Sequence, residues 1–205
     1  VTYREAAAAG IDNLEHGFLA STDFVKDKKP DECPGQGAGQ ATIAALDVNS
    51  AEFRALVADL VKAKVAITST LTVFETFTPG RPLPPGLDVL TPELRDQFTR
   101  RYEQTQRNAN SAYTRLFPNA LRLEAAFYRS GGFLVAGTDP TGGGGVIPGY
   151  SNQRQVELLV EAGLTPLEAD AAHGGDLVER PALGTAFDGS HASVVEHRER
   201  VDEAV

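Results

Sequence analysis

Hydrophobic and polar positions follow a helical period in some segments and a strand period in others. Residues 2–9 are good helix formers and end at Gly10, which can cap a helix end. The segment from Ser50 through Lys64 places apolar side chains on one helical face, with Ser50 as the cap. The other predicted helices cover residues 91–113, residues 119–129, residues 153–162 and a segment that starts at Thr165.

Three short segments have the pattern of β-strands. Residues 11–15 alternate apolar and polar positions, residues 65–73 are rich in β-branched side chains, and residues 133–138 are mostly apolar. Strands that alternate with helices indicate parallel βα units. A complete (β/α)8 barrel takes about 250 residues, so we expect an α/β fold that corresponds to a later part of such a barrel.

Composition and charge exclude several classes of protein. The net charge of −9 argues against a protein that binds the phosphate backbone of nucleic acid. The single cysteine, Cys33, excludes an internal disulfide framework and a cysteine-based zinc cluster. No apolar run approaches the length of a membrane-spanning helix. The chain lacks Met and begins at Val1 with no visible signal peptide, so we expect a processed product or a fragment, and the compartment stays open.

The candidate chemistry lies where the predicted strands end, because functional sites of parallel α/β folds form there. His16 follows the first strand and Asp139 follows the third. Imidazole is a common zinc ligand, and a carboxylate can bind a metal or accept a proton from bound water. A packing histidine and a helix-capping aspartate would occupy the same positions, so spacing alone leaves both interpretations open.

Five further polar residues lie near the end of the second predicted strand or in the loop after the third, and they are candidate substrate contacts. Ordinary hydrogen bonding within loops is the alternative for each of them. They are Thr70, Thr72, Glu75, Tyr150 and Asn152.

Three local sequences resemble the amidohydrolase superfamily, in its imidazolonepropionase-like and prolidase-like branch. Residues 9–17, which read Ala-Gly-Ile-Asp-Asn-Leu-Glu-His-Gly, resemble the motif of the sixth barrel strand. Gly137-Thr138-Asp139 resembles the motif of the eighth strand, and residues 154–169 resemble a helical segment that follows it. The three motifs occur in the expected order, with one predicted strand between the first two.

The resemblance implies a fold and an activity. The fold would be about strands six to eight of a (β/α)8 barrel in residues 1–170, with an atypical tail in residues 171–205 in place of a small β-domain. The activity would be metal-dependent hydrolysis of C–N bonds in amides, cyclic amides or dipeptides, with one or two divalent ions, usually zinc. His16 would bind the metal, and Asp139 would bind metal and shuttle a proton.

Other metal ligands of this superfamily have no counterpart in the sequence. These are a His-x-His on the first strand, a lysine or glutamate on the fourth and a histidine on the fifth. We therefore expect the isolated chain to be inactive. The expected partner is a small-molecule amide or dipeptide, and we expect no binding to nucleic acid or to a membrane. The sequence leaves open whether the chain forms a homo-oligomer.

Two other functions fit parts of the sequence. The four glycines at residues 142–145 could cradle an anion or nucleotide, although the Gly-Lys-Ser/Thr of a P-loop is absent. The chain could also be a non-catalytic interaction module, in which the proline-rich residues 78–90 are the segment that a partner protein binds.

Overall fold

The computed structural model describes residues 1–30, 32–35, 37–140 and 146–173 of the 205-residue chain. All of these lie within a compact unit formed by residues 1–175. The glycine run at residues 142–145 and most of the tail predicted at 171–205 lie outside the described residues.

Helices and strands alternate through the described part of the chain. The strands are β1 (Asn13–Glu15), β2 (Ala66–Ser69) and β3 (Leu134–Ala136). The helices are α1 (Tyr3–Ala8), α2 (Ala38–Ala45), α3 (Ala51–Ala63), α4 (Leu71–Glu75), α5 (Pro92–Gln106), α6 (Tyr113–Arg129), α7 (Tyr150–Glu161) and α8 (Pro166–Ala172), with a short 3-10 helix at Leu87–Val89. None of these helices combines the length and apolar character of a bilayer-spanning segment.

The three strands form one parallel sheet in the order β1-β2-β3, which agrees with the predicted parallel βα units. Ile67 at the centre of β2 is in register with Leu14 on one side and Leu134 on the other. The backbone pairing continues beyond the strands, because the N–H of Gly17 and of Gly137 each donate to a carbonyl of β2, at 2.9 and 2.7 Å. All three strands therefore end at the same edge of the sheet. The assignment to a barrel stays a prediction.

An aromatic cluster lies in the core between α1, α3 and α6. Phe18 is fully buried and makes edge contacts with Phe53 and Phe127, at centroid distances of 5.1 and 5.7 Å. Tyr3 approaches the same ring at 6.0 Å. Phe18 comes two residues after His16, so this packing fixes the chain where it leaves β1.

Hydrogen-bonding caps set several helix boundaries at the predicted residues. Ser50 Oγ accepts the N–H of Phe53 at the start of α3. Thr165 and Glu168 form both hydrogen bonds of the predicted capping box at the start of α8. Polar side chains here satisfy backbone donors that a helix start leaves unpaired.

Two predicted segments have a different secondary structure. The strand expected at residues 65–73 ends at Ser69, and α4 follows. Thr70 leaves the extended conformation, and the side-chain oxygen of Gln155 accepts the N–H of Thr72 at 3.2 Å, so the chain turns here. Residues 38–45, where the sequence pattern predicts no helix, form α2. This helix packs on α6, and Asn119 donates to the carbonyls of Ile43 and Leu46 at its end.

The two helices before β3 have other boundaries than the sequence pattern predicts. The helix predicted at residues 91–113 ends at Gln106, and the helix predicted at 119–129 begins at Tyr113. Pro118 lies inside α6. A proline there removes one hydrogen bond, and the packing of the helix compensates for it because α6 buries most of one face.

Replacement of Phe18 by alanine tests the role of this aromatic cluster. We expect Phe18→Ala to lower the free energy of unfolding by about 3–5 kcal/mol, because a large ring is removed from a buried site. Leu167→Ala is the control, since Leu167 is 79% exposed and should change stability by less than about 0.5 kcal/mol. Urea denaturation measures both, and equal effects would contradict the assignment of Phe18 to the core.

Candidate functional site

His16 occupies the turn directly after β1. Its Nδ1 lies 3.0 Å from the hydroxyl oxygen of Thr70, and its ring meets Phe74 edge-on at 6.0 Å. Its backbone has a φ of 71°, in the left-handed region that non-glycine residues seldom adopt. The next residue, Gly17, pairs with β2 through its N–H, and its carbonyl accepts a hydrogen bond from the Tyr3 hydroxyl. The pairing of Gly17 with β2 therefore fixes the backbone next to His16, and the contact with Thr70 fixes its ring.

Asp139 occupies the corresponding position after β3 and is partly exposed. Its φ of 47° is also left-handed. The carbonyl of the preceding residue, Thr138, accepts a hydrogen bond from the Thr72 hydroxyl at 3.2 Å. Because β2 separates the two outer strands, the backbones that carry His16 and Asp139 are about 10 Å apart. The hydroxyls of Thr70 and Thr72 contact one outer strand end each.

The donor set at this edge can be compared with what zinc requires. Imidazole nitrogen and carboxylate oxygen are both zinc ligands, and a tight site has three or four protein ligands. Within the described residues, no group of three or more His, Cys, Asp or Glu side chains is placed to hold a metal ion. His16 and Asp139 therefore suit a zinc site chemically, and the described residues do not complete one.

A cavity of about 410 Å³ lies next to the strand ends. Three of the five candidate substrate contacts line it, namely Thr72, Glu75 and Tyr150. Pro140, which follows Asp139, lines it as well. Thr70 is buried against His16 and does not line this cavity. The predicted contact Asn152 lies on a different groove, between α7 and α8.

An ion-pair network that the sequence analysis did not identify forms one wall of this cavity. Glu75 accepts hydrogen bonds from both Arg81 and Arg154, with nitrogen–oxygen distances of 2.7–2.9 Å. Arg81 also makes a two-pronged contact with Glu161, and Arg154 contacts Glu157. Hydrogen bonds to these carboxylates raise the pKa of both guanidinium groups. Within α7, Arg154 and Glu157 are three residues apart, a spacing that can be recognised in the sequence. The partners in the other pairs come from different segments, so the sequence gives no local signal for them.

Glu124 of α6 lies under the same edge and was also missed. Its side chain is 1% exposed, and neither carboxyl oxygen makes a hydrogen bond of normal geometry with the described residues. It contacts Gly17 so closely that a Cβ added there would lie 2.0 Å from its Oε1. Burial raises the pKa of this carboxyl to about 8, and the neighbouring Ser69 hydroxyl lowers it by less. The buried acid is therefore neutral at pH 7.

Ser69 connects Glu124 to α7. The side-chain N–H of Gln155 donates to the Ser69 hydroxyl at 2.6 Å, while the other end of the same amide accepts the N–H of Thr72. Gln155 and Ser69 are both fully buried. A buried polar cluster of Glu124, Ser69, Gln155 and Thr72 thus supports the edge that carries the candidate residues. No sequence motif marks it, because its members come from three segments that are distant in the sequence.

Comparison with family models, with curated proteins and with solved structures finds no match to this chain. The likeness to amidohydrolases thus rests on the three motifs quoted above.

The buried carboxyl of Glu124 makes stability depend on pH in a defined direction. The folded state keeps the proton up to about pH 8, whereas an unfolded glutamate loses it near pH 4.5. The folded state thus binds more protons between these values, and stability falls as pH rises through this window, by roughly 5 kcal/mol at most.

Glu124→Gln should remove this contribution. We expect the variant to lose less stability than the parent chain between pH 5 and pH 8, as measured by urea denaturation at a series of pH values. Glu93→Gln, an exposed change on α5, is the matched control and should leave the parent pH slope unchanged. A slope that Glu124→Gln does not alter would show that this carboxyl is not held neutral in the fold.

Proposed function

We propose that the strand edge and its cavity form part of the active site of a metal-dependent hydrolase that cleaves C–N bonds in small amides or dipeptides. The observation that carries this proposal is backbone strain. Four non-glycine residues in the described part of the chain have a positive φ, and two of them are His16 and Asp139. Such conformations cost about 1–3 kcal/mol and cluster at functional sites. Their position at two parallel strand ends agrees with the motifs that suggested this chemistry.

His16 is the proposed metal ligand. The contact of its Nδ1 with the Thr70 hydroxyl fixes the ring and leaves Nε2 available. Ligating histidines commonly hold the second ring nitrogen in a hydrogen bond of this kind. A divalent ion, when bound, would supply Lewis-acid polarisation and an activated water. The described residues offer two donors, so the proposal requires further donors from outside them.

Asp139 is the proposed proton carrier. A carboxylate at a strand mouth can accept a proton from the attacking water and deliver it to the leaving amine. The bond between the Thr72 hydroxyl and the Thr138 carbonyl holds the backbone immediately before it. The adjacent cavity would receive the substrate, because Thr72 and Pro140 place its wall next to this strand end.

The proline-rich segment of residues 78–90 has a role in this proposal. Pro82, Pro84 and Pro85 line the cavity. The segment is therefore assigned to the wall of the substrate pocket. The alternative of an anion site at residues 142–145 concerns residues outside the described part of the chain.

The affinity of the chain for cobalt, measured by calorimetric titration, tests the metal-ligand role. We expect His16→Asn to weaken binding by at least about tenfold, and Thr70→Val to weaken it by about tenfold through loss of the bond that orients the ring. Asparagine is chosen because it tolerates a positive φ.

His173→Asn is the matched control, since His173 caps the end of α8 and lines the other groove. It should leave cobalt affinity unchanged. Equal affinities in the parent chain, His16→Asn and Thr70→Val would refute the proposed ligand.

A further inference from the structure

One helix beside the cavity has an unusual surface. Helix α5 has no buried residue. It is held at its ends by polar contacts: Arg95 donates to three backbone carbonyls around the 3-10 helix, and the Tyr102 hydroxyl donates to the carbonyl of Arg81. The helix is thus positioned by hydrogen bonds and not by burial of an apolar face.

The face of α5 that borders the cavity is a regular helical stripe. Its members recur at intervals of three and four residues, which places them on one side of a helix. They are Leu94, Gln97, Phe98, Arg101, Tyr102 and Gln106. The apolar side chains of this helix therefore face the cavity, and Leu94 is still 50% exposed.

The lining that other segments contribute to the cavity is largely apolar too. It consists of proline, aliphatic and aromatic side chains from the proline-rich segment and from the residues around the start of α7. These are Pro82, Pro84, Pro85, Leu90, Val146, Ile147, Pro148 and Tyr150. The size of the cavity is within the range of small-molecule sites, which typically pair apolar walls with a few polar groups.

The charged groups of the cavity differ in their partners. Arg81 and Arg154 are saturated by glutamates, as described above. Arg101 stacks on Phe77 with its guanidinium 5.4 Å from the ring centroid, and no acidic side chain among the described residues pairs with it. Arg101 therefore lines the cavity with a guanidinium that no carboxylate of the described residues neutralises, in a chain whose net charge is −9.

We propose that this cavity binds a small apolar carboxylate, with Arg101 as the residue that binds its acid group. A guanidinium matches a carboxylate in a two-pronged contact, and one such group suits one negative charge. The apolar body of the ligand would lie between α5 and the proline-rich segment. This inference rests on the proposed function, in which the same cavity receives the substrate.

Calorimetric titration with hydrocinnamate and with its amide, which has the same apolar body and no charge, tests the inference. We expect the chain to bind the acid about tenfold more tightly than the amide. Arg101→Gln should remove this preference and leave the affinity for the amide unchanged. Leu94→Trp should weaken both ligands by filling the cavity.

Arg100→Gln is the matched control, because Arg100 is the exposed neighbour of Arg101 and does not line the cavity. It should keep the preference for the acid. Equal binding of acid and amide, loss of the preference in Arg100→Gln, or absence of saturable binding of the acid at millimolar concentration would overturn the inference.

The titrations contain a chelator, so they report on the cavity without a metal ion. Cobalt affinity reports separately on His16. A chain that binds the acid through Arg101 but gives equal cobalt affinities in the His16 and Thr70 variants would keep the cavity site and lose the hydrolase proposal. If the His16 and Thr70 variants lose cobalt affinity but the chain shows no preference for the acid, the inference about the cavity fails and the hydrolase proposal stands.

Discussion

The parallel register of the three strands is the constraint on which the candidate site depends. Backbone pairing brings β1, β2 and β3 to an end at one edge, and the N–H groups of Gly17 and Gly137 extend that pairing past the strands. Two residues far apart in sequence, His16 and Asp139, are thereby held on either side of β2. A slip of one residue in either pairing would reverse which side chains face the core. The packing of the core therefore fixes the register, and the register fixes where the strands end.

The supports of this edge are polar as well as apolar. On one side Phe18 anchors the chain after β1 in an aromatic cluster. Below the edge, Glu124, Ser69 and Gln155 form a buried polar cluster, in which the neutral carboxyl of Glu124 packs directly on Gly17. A buried polar group without a good partner costs free energy, and such groups in native structures often have a functional reason. Glu124 packs against Gly17, so its position is consistent with a role in supporting the turn that carries His16.

Sequence patterns predicted the parts of the fold that depend on local rules. Strand composition and helix caps located β1, β2, β3 and α3, and the rule that sites lie at strand ends pointed to His16 and Asp139. The features that sequence reasoning missed depend on distant contacts. Helix α2 is stabilised by packing on α6, and the Arg81–Glu75–Arg154 network joins three segments, so neither has a local signal. Motifs could name candidate residues but could not show that Asn152 lies away from the cavity.

The proposed function depends on His16, which would bind a metal ion at the strand edge next to a substrate cavity. The most direct measurement is anomalous diffraction at the zinc edge from crystals of the chain grown with zinc. We expect an anomalous peak about 2.0–2.1 Å from Nε2 of His16, with the Asp139 carboxylate beside the ion and the Thr70 hydroxyl in contact with Nδ1. Zinc bound at other residues, with Nε2 of His16 in a hydrogen bond to a protein group, would contradict it.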